Sequence, residues 1–382
     1  MSDYSNVPDD FDPMQVDSCS LERLSGALPT RATTDSVVLA DHTTFHIGGP
    51  ARRLVRARTP DEVVDAVREA DAAGEPLLVL SGGSNVLIAD QGFDGTVVLV
   101  DTHGVDADVS ACGGAFVRIQ AGEIWDDVVA YTIEQEWAGI EALSGIPGLV
   151  GAAPIQNIGA YGQDVSQTIA RVRTWDRQAG EFRTFVADKC GFGYRDSLFK
   201  RSRVAGQATG RYVVLEVWFH LGLASRSEPV RYGQLAAALG VEIGDRAPTA
   251  RVREAVLALR ASKGMVVDPA DHDTWSAGSF FMNPILEPEA ALQLPADAPR
   301  FLQPDGRVKS SAAWLIDHAG FVKGFPSQGP ARLSSKHVLA LTNHDGARAA
   351  DIAELARTVR AGVAERFGVW LEPEPVLVGL EI

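Results

Sequence analysis

Two glycine-rich stretches carry the clearest chemistry in this sequence. Ser81-Gly-Gly-Ser-Asn85 follows the apolar run Pro76-Leu-Leu-Val-Leu80. A glycine pair at a strand end lets successive backbone N–H groups converge on an anion. Gly82 and Gly83 would admit a diphosphate close to the chain, and Ser84 and Asn85 would add side-chain donors. The same five residues also suit a plain strand-terminating turn, and alone they do not choose between the two. The second stretch, residues 142–163, runs without a charge and holds five glycines. Ile146, Pro147, Gly148 and Gly159 offer close-approach backbone there, with Gln156, Asn157 and Tyr161 as polar side chains. It is long enough for a membrane span, but Pro147, Pro154, Gln156, Asn157 and the glycines would leave backbone groups unsatisfied in lipid. The reading is a loop system inside the protein. A buried cofactor clamped between the two stretches accounts for both together.

Other chemistries lose ground. The sequence has no G-x-G-x-x-G, no G-x-x-x-x-G-K-[ST], no H-E-x-x-H and no G-x-S-x-G, which argues against dinucleotide-binding Rossmann, P-loop, zincin and α/β-hydrolase sites. Lys plus Arg number 35 against 50 Asp plus Glu, a net charge of -15. General binding to nucleic acid or to an anionic membrane needs a basic surface, so neither partner is expected. Cys19, Cys112 and Cys190 are odd in number, far apart and without a C-x-x-C pair. Neither a disulfide framework nor a metal site is expected, which suits a reducing cytosol. The first 18 residues are acidic and lack an apolar centre, so they do not read as a signal peptide. The expected location is cytoplasmic.

The elements that must position these loops are legible in outline. Residues 1–36 hold seven acidic and two basic residues with little periodicity, and read as an acidic, disordered tail. Thr59-Pro-Asp-Glu62 is a capping-box pattern, and Val63, Val64, Val67 and Ala70 recur at helical spacing behind it. Strands are expected at Pro76–Leu80 and Val97–Val100, so residues 37–104 form a small α/β unit. From 105 to 235 the segments shorten and turn β-rich, as in Phe116–Gln120 and Tyr212–Phe219. Polar and Pro/Gly punctuation at 224–250 marks a boundary. Beyond it, residues 250–368 contain a helix with Val252, Val256 and Leu259 on one face. A long helix at 347–367 follows, with Gly368 as its stop. Residues 369–382 form a last segment.

Six motifs occur in order: Leu80-Ser-Gly-Gly-Ser-Asn-Val-Leu87, Ile146-Pro-Gly148, Pro154-Ile-Gln-Asn-Ile-Gly-Ala-Tyr-Gly162, Phe192-Gly-Tyr-Arg-Asp-Ser197, Ala277-Gly-Ser-Phe-Phe281 and Trp370-Leu-Glu-Pro-Glu374. Together they resemble the UDP-N-acetylenolpyruvoylglucosamine reductases, also called UDP-N-acetylmuramate dehydrogenases, from about Thr43 to Val378. The resemblance implies an α+β fold: an FAD-binding portion of the vanillyl-alcohol-oxidase type in two α+β subdomains, plus a third, α+β substrate-binding subdomain. The last segment would return to the FAD and active-site region. It also implies FAD as cofactor, NADPH as co-substrate and a UDP-sugar enolpyruvate as substrate, reduced to UDP-N-acetylmuramate for peptidoglycan synthesis by a monomeric enzyme.

On this resemblance the residues take roles. Reducing an enol ether that bears a carboxylate needs hydride at one carbon, a proton at its neighbour and stabilisation of the enolate between. Arg195 resembles the family's catalytic arginine, Ser279 its proton donor and Glu374 the remaining catalytic residue, with Glu372 as rival for that last place. Lys263 and Tyr232 match residues that hold the substrate diphosphate, and Tyr194, Asn283 and Lys323 fall at substrate or NADPH contacts. His337 stands where one relative has glutamine. The cofactor is expected on Gly82, Gly83, Ser84 and Asn85 at the phosphate side. Ile146, Pro147, Gly148, Gln156, Asn157, Gly159 and Tyr161 would serve its other parts. Two competing readings remain: an oxidase of the same fold acting on a small alcohol or sugar, and a non-catalytic flavin- or nucleotide-sugar-binding protein. The first gives Arg195, Ser279, Lys263 and Tyr232 no task. The second predicts erosion at Arg195, Ser279 or Glu374, where the matching residue types are all present.

Overall fold

The computed structural model describes residues 20–29, 34–344 and 346–382. Its first unit is a parallel three-stranded sheet in the order Ala51–Ala57, Phe93–Val100, Leu77–Leu80. The helix Pro60–Ala72 covers one face, with Pro60 at its first position and Thr59 Oγ1 accepting the Glu62 N–H at 3.2 Å. Its buried face is Val63, Val64, Ala66, Val67 and Ala70, the helical spacing read from the sequence.

The second unit is an antiparallel sheet in the order Glu22–Gly26, Val105–Ser110, Gly114–Gln120, Tyr212–Leu223, Ile169–Asp176, Glu181–Val186. Trp137–Ala138 pairs with the far end of the long strand Tyr212–Leu223. One face of this sheet packs on the helix Trp125–Glu134 through Trp125, Val128 and Val129. Within the stretch expected to be a tail, Glu22–Gly26 is therefore an edge strand, in five-residue register with Val105–Ser110. The sequence reading missed it because ERLSG has no apolar alternation. Leu24 and Leu28 pack on the second core, and Ser25 Oγ donates to Asp106 at 2.7 Å. Residues 1–19 and 30–33 of that expected tail lie outside the described residues. A further correction concerns the cysteines. Cys112 is disulfide-bonded, against the expectation from sequence, because spacing along the chain does not show which sulfurs meet in space, whereas Cys190 is free and buried.

The third unit centres on the helix Ala349–Phe367, ended by Gly368 at φ 68°, and on Ala312–His318 and the hairpin Ala331–Leu333/Leu341–Asn343. Its core takes in Phe280, Phe281, Ile352 and Val359, and also Phe45, Ile47 and Leu87 from the first unit. The chain then returns: Val376–Val378 pairs in parallel with Val86–Ile88, directly after the first glycine loop. The uncharged stretch 142–163 folds as interior loop structure, with short helical turns at Glu141–Leu143, Val150–Ala152 and Ala153–Gln156 and a tight hairpin at Gly159–Ala160 and Gln163–Asp164. Among the described residues no helix is long and apolar enough to cross a membrane.

Candidate active site

A cavity of about 1490 Å³ runs between the three units, walled by the loop 81–85, the stretch 146–159, residues 195–214, Ser276–Ser279 and the returning segment 372–381. Single-ligand pockets run to roughly 300–1,000 Å³, so this space suits two ligands end to end.

The two glycine stretches meet backbone to backbone. A Cβ on Gly82 would lie 2.8 Å from Gly148 Cα. Gly83 sits at φ 59°, and a Cβ there would come within 1.8 Å of the His42 carbonyl oxygen, so only glycine fits. Ser84 Oγ donates to the Pro147 carbonyl at 3.0 Å. The Asn85 amide donates to the Glu374 carbonyl at 3.3 Å, and the Asn85 carbonyl accepts from Val376 N at 3.0 Å. These two side chains therefore lock the cradle to its neighbours.

Arg195 has φ 52°, in a left-handed conformation that costs a non-glycine residue about 1–3 kcal/mol and collects at functional sites. Its Nη2 donates to the Gly159 carbonyl at 2.9 Å and its Nη1 to the Asn157 carbonyl at 3.5 Å. Nε lies 3.0 Å from Glu374 Oε1, a charge contact off the line of a hydrogen bond. The two rival glutamates differ in placement. Glu374 is 13% exposed against Arg195, whereas Glu372 is 65% exposed and 4.0 Å from Arg360. Ser279 reaches the same wall because its segment runs against the returning one. Glu374 N donates to the Phe280 carbonyl at 2.8 Å, and Met282 N donates to the Glu372 carbonyl at 2.9 Å. Gly278 at φ 71° turns the chain just before the serine, and Phe280 and Phe281 anchor it in the core.

Tyr161, Tyr194, Tyr232, Lys263, Asn283 and Lys323 are not among the residues lining the cavity, and five of them form two groups. Tyr161 and Tyr232 meet edge to face with centroids 5.5 Å apart, and Lys263 Nζ stands 5.7 Å over the Tyr161 ring while donating to Gln234 at 2.9 Å. The Tyr194 hydroxyl accepts from Asn283 N at 3.3 Å, under Lys309 Nζ at 4.7 Å from the ring. Lys323 is exposed, and it and Lys263 face His337. Burial and those two cations push the His337 imidazole down to about 4. Asn157 does not face the cavity. Its amide donates to the Gly193 carbonyl at 2.8 Å and its Oδ1 accepts from Ser166 N at 3.2 Å, tying the second glycine stretch to the Arg195 loop.

Several residues here escaped the sequence reading. Arg260 continues the buried face of the helix Thr249–Ala261 after Val252 and Val256. A charge at i+4 in an apolar register was the signal. Its Nη2 donates to the Met265 carbonyl at 2.9 Å, and burial pulls the guanidinium down to about 10. Lys200 lines the cavity, and burial lowers its ammonium while the Glu374 carboxylate opposes that fall. Burial also lowers Lys263 and Lys309, with Arg260 and Arg195 respectively adding to the effect. A chain of net charge -15 thus holds a cluster of half-buried cations around one cavity.

The residues fit FAD and an anionic substrate. Among the described residues, Ser81 Oγ, Gln156 Nε2, Arg195 Nε and Arg260 Nε are buried without a hydrogen-bond partner, and all four residues line this cavity. An orphaned buried donor costs about 1–3 kcal/mol, so four in one wall describe a site built for a ligand's acceptors.

Comparison with known proteins agrees. The model of an FAD binding domain matches residues 51–185, which cover the first unit and most of the second. Fold and site together define a flavoprotein with the FAD-binding fold of the vanillyl-alcohol-oxidase type and an added substrate unit. The model of the UDP-N-acetylenolpyruvoylglucosamine reductase C-terminal domain matches residues 268–378. The UDP-N-acetylenolpyruvoylglucosamine reductase of Cutibacterium acnes is 56% identical over 376 residues, covering 98% of each chain. That of Thermobifida fusca is 49% identical over 363 residues, covering 92% of this chain and 100% of its own. The crystal structure of the Thermus caldophilus enzyme superposes with a TM-score of 0.58 at 25% identity, over 94% of this chain and 99% of that one. The chain belongs to the UDP-N-acetylenolpyruvoylglucosamine reductase family.

Proposed function

We propose that the chain reduces UDP-N-acetylglucosamine enolpyruvate to UDP-N-acetylmuramate with NADPH, a step of peptidoglycan precursor synthesis. The observation that carries this reading is the convergence of Arg195, Glu374 and Ser279 from three separate segments on one cation-lined cavity. Held between the two glycine stretches, FAD would supply hydride transfer from NADPH to the enolpyruvyl carbon.

The chain's own residues do the rest. Arg195 pairs the substrate carboxylate and the charge that develops beside it, and its carbonyl and Glu374 contacts fix its orientation. Ser279 Oγ gives the proton to the neighbouring carbon. An unassisted serine is a poor acid, so its neighbourhood must stabilise the oxygen as its proton leaves or resupply the proton. Glu374 holds Arg195 and completes the polar wall. The loop of Gly82, Gly83, Ser84 and Asn85 binds the cofactor's phosphates and the 146–148 backbone its other parts, and Gln156 and Arg260 offer donors farther along. Lys263 and Tyr232 take the substrate diphosphate, with Tyr194, Asn283 and Lys323 at its flank.

In domain terms, residues 37–104 and 105–235 carry FAD, 250–368 carry the substrate and 369–382 close the site. The enzyme works as a cytoplasmic monomer on small molecules, and the acidic charge balance supports the absence of nucleic acid and anionic-membrane partners.

The test is Ser279→Ala followed through each half-reaction separately. NADPH still bleaches the flavin at the wild-type rate, while recovery on adding the enolpyruvyl substrate slows about 10²–10⁴-fold, the usual contribution of a positioned acid. Equal losses in both halves would remove Ser279 from the role of proton donor.

A further inference from the structure

We infer that Lys200 is a positioning residue for the reduction step, one that holds Arg195 in its left-handed backbone so that the guanidinium stays over the cavity. The inference rests on the reading of Arg195 as the carboxylate-pairing residue.

The local geometry carries it. Lys200 is in the short helix Leu198–Arg201, whose first turn is capped by Ser197 Oγ accepting from Lys200 N at 3.1 Å. From there the side chain folds back, and Nζ donates to the Arg195 carbonyl at 2.8 Å. Arg195 lies in a tight turn closed by Gly193 N donating to the Asp196 carbonyl at 2.9 Å and Asp196 N donating to that of Gly193 at 3.3 Å. These bonds bracket Arg195, and the N–H of its following peptide takes part in one of them, but its own carbonyl is left to another partner. Its backbone carbonyl is held by Lys200, and its side chain by the 157–159 carbonyls and Glu374. Without the lysine, the residue at φ 52° loses the hydrogen bond on its carbonyl and keeps only the Gly193–Asp196 pair of the turn against relaxation toward ordinary backbone angles. Such a relaxation would swing the guanidinium off Glu374.

The same ammonium reaches across the site. Nζ is 4.0 Å from the Met282 sulfur, and Met282 follows Ser279 by three residues on the segment paired with 372–374. Lys200 therefore joins the turn that presents the arginine to the wall that presents the serine and the glutamate. Asp196, its nearest acidic sequence neighbour, is engaged with Arg201 instead. One of its three N–H donors is engaged by a main-chain carbonyl and the Met282 sulfur stands near another, contacts that place Lys200 to fix geometry.

The experiment compares wild type, Lys200→Met, Lys200→Arg and Arg195→Met as flavin-loaded full-length proteins, in stopped-flow measurements of both half-reactions. A misplacement near 1 Å costs about 10²-fold in rate, so Lys200→Met should slow reoxidation by the enolpyruvyl substrate roughly 10–100-fold. Its substrate KM should move less than about threefold and its reduction by NADPH less than about twofold, while Lys200→Arg, which can donate to the same carbonyl, recovers most of the rate. A raised KM with unchanged limiting rate would make the lysine a substrate ligand and overturn the inference. So would equal losses in both half-reactions, or flavin loss in both lysine variants, which would make it a part of the scaffold only. Slow reoxidation in Arg195→Met beside normal reoxidation in Lys200→Met would sink this inference alone. Normal reoxidation in Arg195→Met would instead sink the reading of the arginine.

Discussion

Adding one methyl group at Gly82 tests whether the two glycine stretches form a single cradle. The new Cβ would lie 2.8 Å from Gly148 Cα, 3.2 Å from Gly148 C and 3.4 Å from Leu149 N. Carbon atoms prefer about 3.5–4.0 Å, so the stretches must separate by roughly 0.7 Å or more. Every clashing atom is backbone, and none can rotate away. Overpacking of this kind costs about 1–3 kcal/mol. Because the strained contact is the wall of the cavity, the cost should fall on cofactor affinity, weakening FAD binding about 5–150-fold. The assay is a titration of flavin-stripped Gly82→Ala with FAD, followed by quenching of flavin fluorescence. Gly180→Ala is the control: it has φ 66° with nothing within 4 Å of its Cβ, so it bears backbone strain far from the cradle. It should lose about 1 kcal/mol of stability and no FAD affinity. Wild-type affinity in Gly82→Ala, or equal weakening in Gly180→Ala, would refute the assignment of the cradle.

Two further perturbations address the edge of the site and the sheet. Burial, Lys263 and Lys323 hold His337 neutral down to about 4, against an ordinary value of 6.5. Between these values the unfolded chain binds the extra proton, so His337 subtracts stability as pH falls through that window and has no such effect above it. His337→Asn should therefore lose about 2 kcal/mol less than wild type between pH 7 and pH 5 in denaturant titrations of ligand-free protein, and identical losses would contradict the placement. Removing residues 1–34 strips the edge strand Glu22–Gly26 with Leu24 and Leu28. It should lower stability by about 1–3 kcal/mol while flavin content and turnover stay within about twofold. Loss of flavin would show that the segment supports the cavity itself.

Local signals made much of the fold legible. Thr59-Pro-Asp-Glu62 started a helix where capping chemistry requires one, and the apolar face of 349–367 ended at a glycine with positive φ. The polar residues of 142–163 ruled out a membrane span, and the segment is interior loop structure. What stayed hidden depends on tertiary partners. ERLSG has no periodicity, so its strand exists only because an exposed sheet edge awaits it. Asn157 reads as a ligand contact in a glycine-rich run, yet its partners are a carbonyl 36 residues away and a neighbouring amide. Ser279 resembles any turn serine until the paired segment 372–374 sets it beside Glu374, and only the family motif singled it out. Arg260 and Lys200 were absent from the reading because a cation's burial is a property of the folded chain, although the i, i+4 register of Val252, Val256 and Arg260 carried a trace of it.

Hydride transfer through a flavin held in this cavity to an enolpyruvyl UDP-sugar is open to direct test. The direct measurement is an anaerobic absorbance titration of the purified protein, first with NADPH and then with UDP-N-acetylglucosamine enolpyruvate. The visible flavin band should bleach with one equivalent of NADPH and recover with one equivalent of the enolpyruvyl compound. Bleaching with no recovery, or no flavin band even after FAD is added, would contradict it.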